Sequence, residues 1–148
     1  MDYFRLVRFF EEYISHYKEF LKFEYTKIDM INKNEIEKLS TLLAAEQALI
    51  MKTNSFEGKR LQLLSSNPNL TFAQIVESAP VSCKKRLEKQ HKEMSELVFK
   101  IKEINDTANV IVTERLKKIQ RRTSNLNTYN GLGSVRRERS TNLFAKNI

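Results

Sequence analysis

Residues that turn or stiffen a chain are scarce here: 3 Gly and 2 Pro in 148 residues. Loops must therefore be few, and a collagen-like or glycine-rich disordered chain is excluded. A single cysteine, Cys83, cannot form an internal disulfide, so nothing points to an oxidising compartment. With no histidine near it in sequence, Cys83 reads as structural. The 2 histidines, His16 and His91, have no companions at metal-ligand spacing and read as partly buried helix residues. No apolar run approaches the 18 residues of a membrane span, and the opening residues, with Asp2 and Arg5, have no signal-peptide core. The expected location is the cytoplasm. Phosphate-binding and dinucleotide glycine loops, Cys-x-x-Cys pairs and His-Glu-x-x-His are all missing. The reading is of a protein without catalytic, cofactor or metal residues, and without a small-molecule substrate.

What is present is helical periodicity and charge. Hydrophobic residues make up 41% and charged residues 30%, a balance suited to a water-facing helical domain. Formal net charge is +8, of which residues 123–148 contribute +3 through Arg136, Arg137, Arg139 and Lys146 against Glu138. Basicity of this kind admits nucleic acid, anionic lipid or an acidic protein as partner and does not choose among them.

The longest pattern covers residues 82–122. Leu87, Met94, Leu97, Ile101, Ile104, Ala108, Ile111 and Leu116 recur at spacings of three and four, with Val98, Val112 and Ile119 beside them. About 40 residues of α-helix make a rod of roughly 60 Å, which is unstable unless its stripe is covered. A first helix is expected over residues 3–30. Its rows are Tyr3, Phe10 and Tyr17; Leu6, Tyr13 and Phe20; Val7, Ile14, Leu21 and Ile28; and Phe9, His16, Phe23 and Met30. That face is too wide for a two-stranded coiled coil and predicts contact with two other helices. Phe4 and Tyr25 fall outside the rows and are expected to be exposed.

A turn at Asn32-Lys33-Asn34 follows, with Asn34 expected to cap the next helix and Glu37 to complete a capping box. The second helix is expected over residues 35–65. Its stripe runs Ile36, Leu39, Leu42, Leu43, Leu49, Ile50, Phe56, Leu63 and Leu64, and the same face carries Glu46, Thr53, Glu57 and Arg60. After Ser65–Asn69, Thr71 with Gln74 predicts a second capping box on a short helix that ends near Ser78, before Pro80, with Leu70 and Ile75 as its staple. The fold class is therefore all-α: an antiparallel bundle of three long helices with one short connecting helix, spanning residues 1–122. The third long helix outruns the hairpin by roughly 15–20 Å. Residues 123–148 read as a flexible, basic and polar tail spotted with Leu126, Tyr129, Leu132, Val135, Leu143 and Phe144, ordered on a partner or left as a solubilising segment. Asn105 and Asn109, one turn apart beside Ile104, Ala108 and Val112, are poor helix-interior residues and predict a buried or interfacial polar layer.

Several of these pieces, in this order, resemble the FlgN-type flagellar export chaperones. Asn34-Glu35-Ile36-Glu37-Lys38-Leu39, Ala45-Glu46-Gln47 and Phe56-Glu57-Gly58-Lys59-Arg60 are similar to that family's hairpin. Leu70-Thr71-Phe72 with Ile75 resembles its short connecting helix. Ile101-Lys102-Glu103-Ile104-Asn105 with Asn109 resembles its paired-asparagine helix, and Thr128-Tyr129 with Gly131 and Gly133 resembles its tail. The resemblance implies a cytosolic chaperone that binds the C-terminal helices of hook-associated, hook–filament junction proteins, prevents early assembly, and aids delivery to the export gate. It puts the client site at the end of the third helix and the tail and gives Tyr129 a role in docking to a gate component. Read with the asparagine pair, the apolar end of that helix and the apolar spots of the tail, the expected client site is Asn105, Asn109, Val112, Leu116, Ile119, Leu126, Tyr129, Leu132 and Val135. The +8 charge departs from the acidic or near-neutral balance common in such chaperones. The competing readings are a basic helical nucleic-acid-binding protein, which lacks a recognised reading motif here and mixes acids with its bases, and a homo-oligomeric coiled coil.

Overall fold

A computed structural model describes residues 1–122. Its helices are α1 (Tyr3–Asn32), α2 (Leu39–Leu63), α3 (Phe72–Ser78) and α4 (Val81–Arg122), with a 3₁₀ turn at Ile36–Lys38 before α2. Among the described residues there is no strand and no helix long and apolar enough to cross a membrane.

Helix α1 is the centre of the bundle. Asp2 caps it, its carboxylate accepting from the Arg5 N–H at 3.1 Å. Leu6, Phe10, Tyr13, Tyr17 and Phe20 are essentially buried, so the four rows do form one broad inner face. Phe4 stands outside it at 71% exposure and Tyr25 at 52%.

α4 runs parallel to α1, and α2 antiparallel to both: Glu11 and Lys18 of α1 face Arg86 and Glu93 of α4, while Tyr13, His16 and Lys27 face Glu57, Thr53 and Glu46 of α2. The backbone of α4 lies closest to α1, with Cys83, Leu87, Met94, Val98 and Ile101 buried in the core. α2 is spaced from α1 by rings. Phe56 stacks on Tyr13 with centroids 4.8 Å apart and planes 7° from parallel, and meets Phe9 at 6.1 Å. Side-chain size at the contact sets the distance between helix axes, so rings hold α2 further out than aliphatic residues hold α4.

The Thr71 capping box is present in both directions: Gln74 N–H donates to Thr71 Oγ1, and Thr71 N–H donates to Gln74 Oε1. The helix it starts closes one end of the bundle. Ile75 is fully buried, and Phe72 stacks 3.7 Å from Phe10 and meets the His91 ring edge-on at 5.0 Å.

The other predicted cap is not there. Asn34 has φ 60°, left-handed backbone, and terminates α1 instead of starting α2. The Glu35 N–H donates to Met30 O and the Asn34 N–H to Ile31 O, the two bonds of a Schellman C-cap. Asparagine tolerates left-handed backbone better than other residues with a Cβ, and here that property outweighs its value as an N-cap. Glu37 accordingly sits in the 3₁₀ turn, and α2 begins at Leu39, behind Lys38, which supplies no side-chain cap.

Candidate functional site

The predicted overhang exists. α4 has 42 residues and α1 has 30, a difference of about 18 Å at helical rise. The Tyr3 hydroxyl donates to the Ser78 carbonyl at 3.0 Å, which ties the start of α1 to the α3–α4 junction. The excess length therefore lies at the opposite end, beyond the C-terminus of α1. There Val112, Leu116 and Ile119 of α4 share one cleft with Ile31, Leu39 and Leu42. The three α4 residues are only half-buried. The Schellman turn makes this cleft, because it ends α1 abruptly and swings Glu35 and Leu39 across to form the far wall. Arg115 fixes the corner, its guanidinium donating to the Ile31 carbonyl, which the ending helix leaves without an i+4 partner.

One turn further in along α1 and α2, and two along α4, lies a buried polar layer that ties the three helices together. Asn105 is 3% exposed, and its Oδ1 accepts from the Lys27 ammonium at 3.2 Å. The same ammonium bonds Glu46 and lies 2.8 Å from Glu24 Oε2, a charge contact without hydrogen-bond geometry. Burial pushes the Glu24 carboxyl up to about 8; the Lys27 charge opposes this and the neighbouring Glu46 adds to it. One ammonium against two carboxyls would leave excess negative charge in the core, and a protonated Glu24 removes it.

The predicted asparagine pair thus divides. Asn105 enters the interior, whereas Asn109 is half-buried nearer the overhanging end. Sequence reasoning missed Glu24 and Lys27. Their signal was available: Glu24 continues the row Tyr3, Phe10, Tyr17 and on to Ile31, and Lys27 continues the row Leu6, Tyr13, Phe20. Both are charges standing where the heptad demands burial.

A second polar layer sits near the closed end. Tyr17 donates to Tyr13 at 3.0 Å, and Tyr13 to Glu57 Oε1 at 2.8 Å. Arg60 donates to Glu57 at 2.9 Å and to the Leu70 carbonyl at 3.0 Å, carrying the chain of bonds to the loop ahead of α3. Burial raises both phenols, so they stay protonated as donors. His16 Nε2 lies 2.7 Å from Thr53 Oγ1, whose own proton goes to the Leu49 carbonyl at 3.0 Å, so the imidazole donates. Burial and then the Lys52 charge lower His16 to about 4, which keeps it neutral. These groups bond one another, apart from His16 Nδ1, which is buried without a partner, and lock helix register.

Of the nine residues named in the sequence as a client site, the structure gathers Val112, Leu116 and Ile119 in the cleft and directs Asn105 inward. Leu126, Tyr129, Leu132 and Val135 lie outside the described residues. The family model described as FlgN protein matches residues 1–139. This chain belongs to the FlgN family. The match covers the whole described bundle of this FlgN-family chain and continues past it, and the family is one of flagellar chaperones. No curated protein and no solved structure matches the chain.

Proposed function

We propose that this FlgN-family chain is a cytoplasmic chaperone of type III flagellar export. It holds the C-terminal helices of hook-associated, hook–filament junction proteins, keeps them from assembling early, and brings them to a component of the export gate. The observation that carries this reading is the half-covered apolar stripe at the overhanging end of α4, where Val112, Leu116 and Ile119 border a cleft with Leu39 and Leu42. A helix that outruns its own bundle offers a groove to an amphipathic helix from another chain, read as anchors three and four residues apart. In this reading Asn109 borders the site, and Leu126, Tyr129, Leu132 and Val135 close over the bound helix. Ordering of the tail on binding lowers net affinity for a given contact area, which suits a client that must be released.

The test is retention of a junction protein's C-terminal peptide on the immobilised chain. The full chain retains it, Leu116→Asp does not, and a chain ending at Arg122 loses most of it while remaining folded. Tyr129→Ala weakens either retention or capture by a purified gate component, with an unchanged melting temperature. Equal retention by the parent, Leu116→Asp and the truncated chain overturns the assignment.

A further inference from the structure

The cleft that the proposed function uses is lined by one acid, Glu35, and one base, Arg115, but its α4 margin is strongly basic. From residue 115 to residue 122 the chain holds five basic residues, Arg115, Lys117, Lys118, Arg121 and Arg122, and no acid. Their positions on α4 follow from helical spacing. Val112, Leu116 and Ile119 make the apolar stripe at i, i+4 and i+7. Arg115, Lys118 and Arg122 make a parallel row at i, i+3 and i+7, offset to one side of that stripe. Arg115 lines the cleft itself and is held there by its bond to Ile31 O. Lys118 and Arg122 are exposed, and among the described residues neither makes an ion pair.

Part of this charge answers the C-terminal end of the helix dipole, and one or two cations in the last turn would serve for that. It does not require a row beginning at Arg115, nor a row that keeps to one margin of an apolar groove.

We infer that the occupant of this cleft is an amphipathic helix whose apolar stripe is bordered along one edge by Asp or Glu, and that Arg115, Lys118 and Arg122 read that edge. The inference rests on the proposed client site and adds the chemistry by which a client is chosen and oriented. An apolar stripe alone accepts a helix in either direction; a one-sided charged margin favours one of them, because a reversed helix carries its acidic edge away from the cations. Contacts of this exposed kind contribute little each and weaken with salt, so they select without holding the client permanently. The concentration of basic charge at the client end also gives a use to the positive balance of the chain.

The probes are two designed peptides of equal length and helicity with Leu and Val at i, i+4 and i+7. One carries Glu along one edge, the other Lys at the same positions. Binding to the full chain is measured by fluorescence anisotropy at low and high salt. The Glu-edged peptide should bind about tenfold tighter than the Lys-edged one at low salt, and high salt should narrow the gap. The double variant Lys118→Glu/Arg122→Glu, altered at exposed positions only, should reverse the preference. Leu116→Asp should lose both peptides.

If the parent binds the two peptides equally, and Leu116→Asp abolishes both, the charged edge is refuted while the apolar client site stands. If Leu116→Asp changes nothing, or neither peptide binds, the client site falls and this inference with it. Vesicles of phosphatidylglycerol and a duplex DNA are included as competitors. Displacement of the Glu-edged peptide by either at matched charge concentration makes the basic row a general anion surface and overturns the proposal.

Discussion

At the residue scale, the most consequential side chains are the charges enclosed by three helices. Removing Lys27 leaves Glu24 and Glu46 without their cation. Lys27→Met should cost roughly 3–5 kcal/mol in chemical denaturation, as breaking a buried pair does. Lys27→Met combined with Glu46→Gln should cost clearly less, because no charge is then stranded. Glu24 also gives the protein a pH signature. Its carboxyl stands at about 8 in the fold against an ordinary 4.5. Between those values the folded chain keeps a proton that the unfolded chain has released, so stability falls as pH rises. His16, lowered to about 4 from 6.5, acts with the opposite sign, since there the unfolded chain takes up a proton that the fold excludes. The two slopes oppose one another between 4.5 and 6.5, and above 6.5 Glu24 acts without His16. The melting temperature should therefore drop from pH 6.5 to pH 8 in the parent and stay nearly level in Glu24→Gln. An equal drop in both would exclude Glu24 as its source.

At the scale of elements, the junction between α1 and α2 decides the shape of the proposed client end. Asn34 holds its left-handed backbone at the C-terminus of α1. Glycine meets no Cβ penalty there, whereas a residue less tolerant of this conformation loses about 1 kcal/mol. Asn34→Gly should match or exceed the parent in stability, and Asn34→Ala should fall about 1 kcal/mol below it. An N-cap at this position would give a different order, with Asn34→Asp as good as the parent and Asn34→Gly slightly worse. At the other end the short α3 depends on its capping box, and Thr71→Ala should cost about 1 kcal/mol in the same assay. The stack of Phe72 on Phe10 depends on that helix keeping its place.

At the scale of the whole molecule, the bundle has two unlike ends. One is sealed by α3 and by the hydrogen-bond chain from Tyr17 to the Leu70 carbonyl. The other is open, apolar within and basic along one margin. The buried cluster runs from Leu6 of α1 to Ile101 of α4 and includes Ile50 and Phe56 of α2. A chain ending at Arg122 keeps all of it. Such a chain should unfold in one cooperative transition within a few degrees of the parent melting temperature, followed by circular dichroism at 222 nm. A fall of more than about 5 °C, equivalent to roughly 1 kcal/mol or more for a domain of this size, would give the tail a structural role.

The sequence by itself determined the helical class, the order and approximate length of the elements, the Thr71 cap, the exposed Phe4 and Tyr25, and the overhang of the last helix. Periodicity and caps are local, and a chain with so little glycine and proline offers few other ways to satisfy them. The mixed face of α2 was equally legible, with Glu46 and Thr53 falling among Leu42, Ile50 and Phe56. Only tertiary structure decided what those polar residues meet. Lys27 and Glu46 are 19 residues apart, and Lys27 and Asn105 are 78 apart. The heptad rows placed Glu24 and Lys27 on the inner face, but nothing local named the partners that make burying a charge tolerable there. Asn34 went the same way, since an asparagine between two helices serves either as the C-cap of one or the N-cap of the next. The path the chain must take to lay α2 back on α1 selected the first.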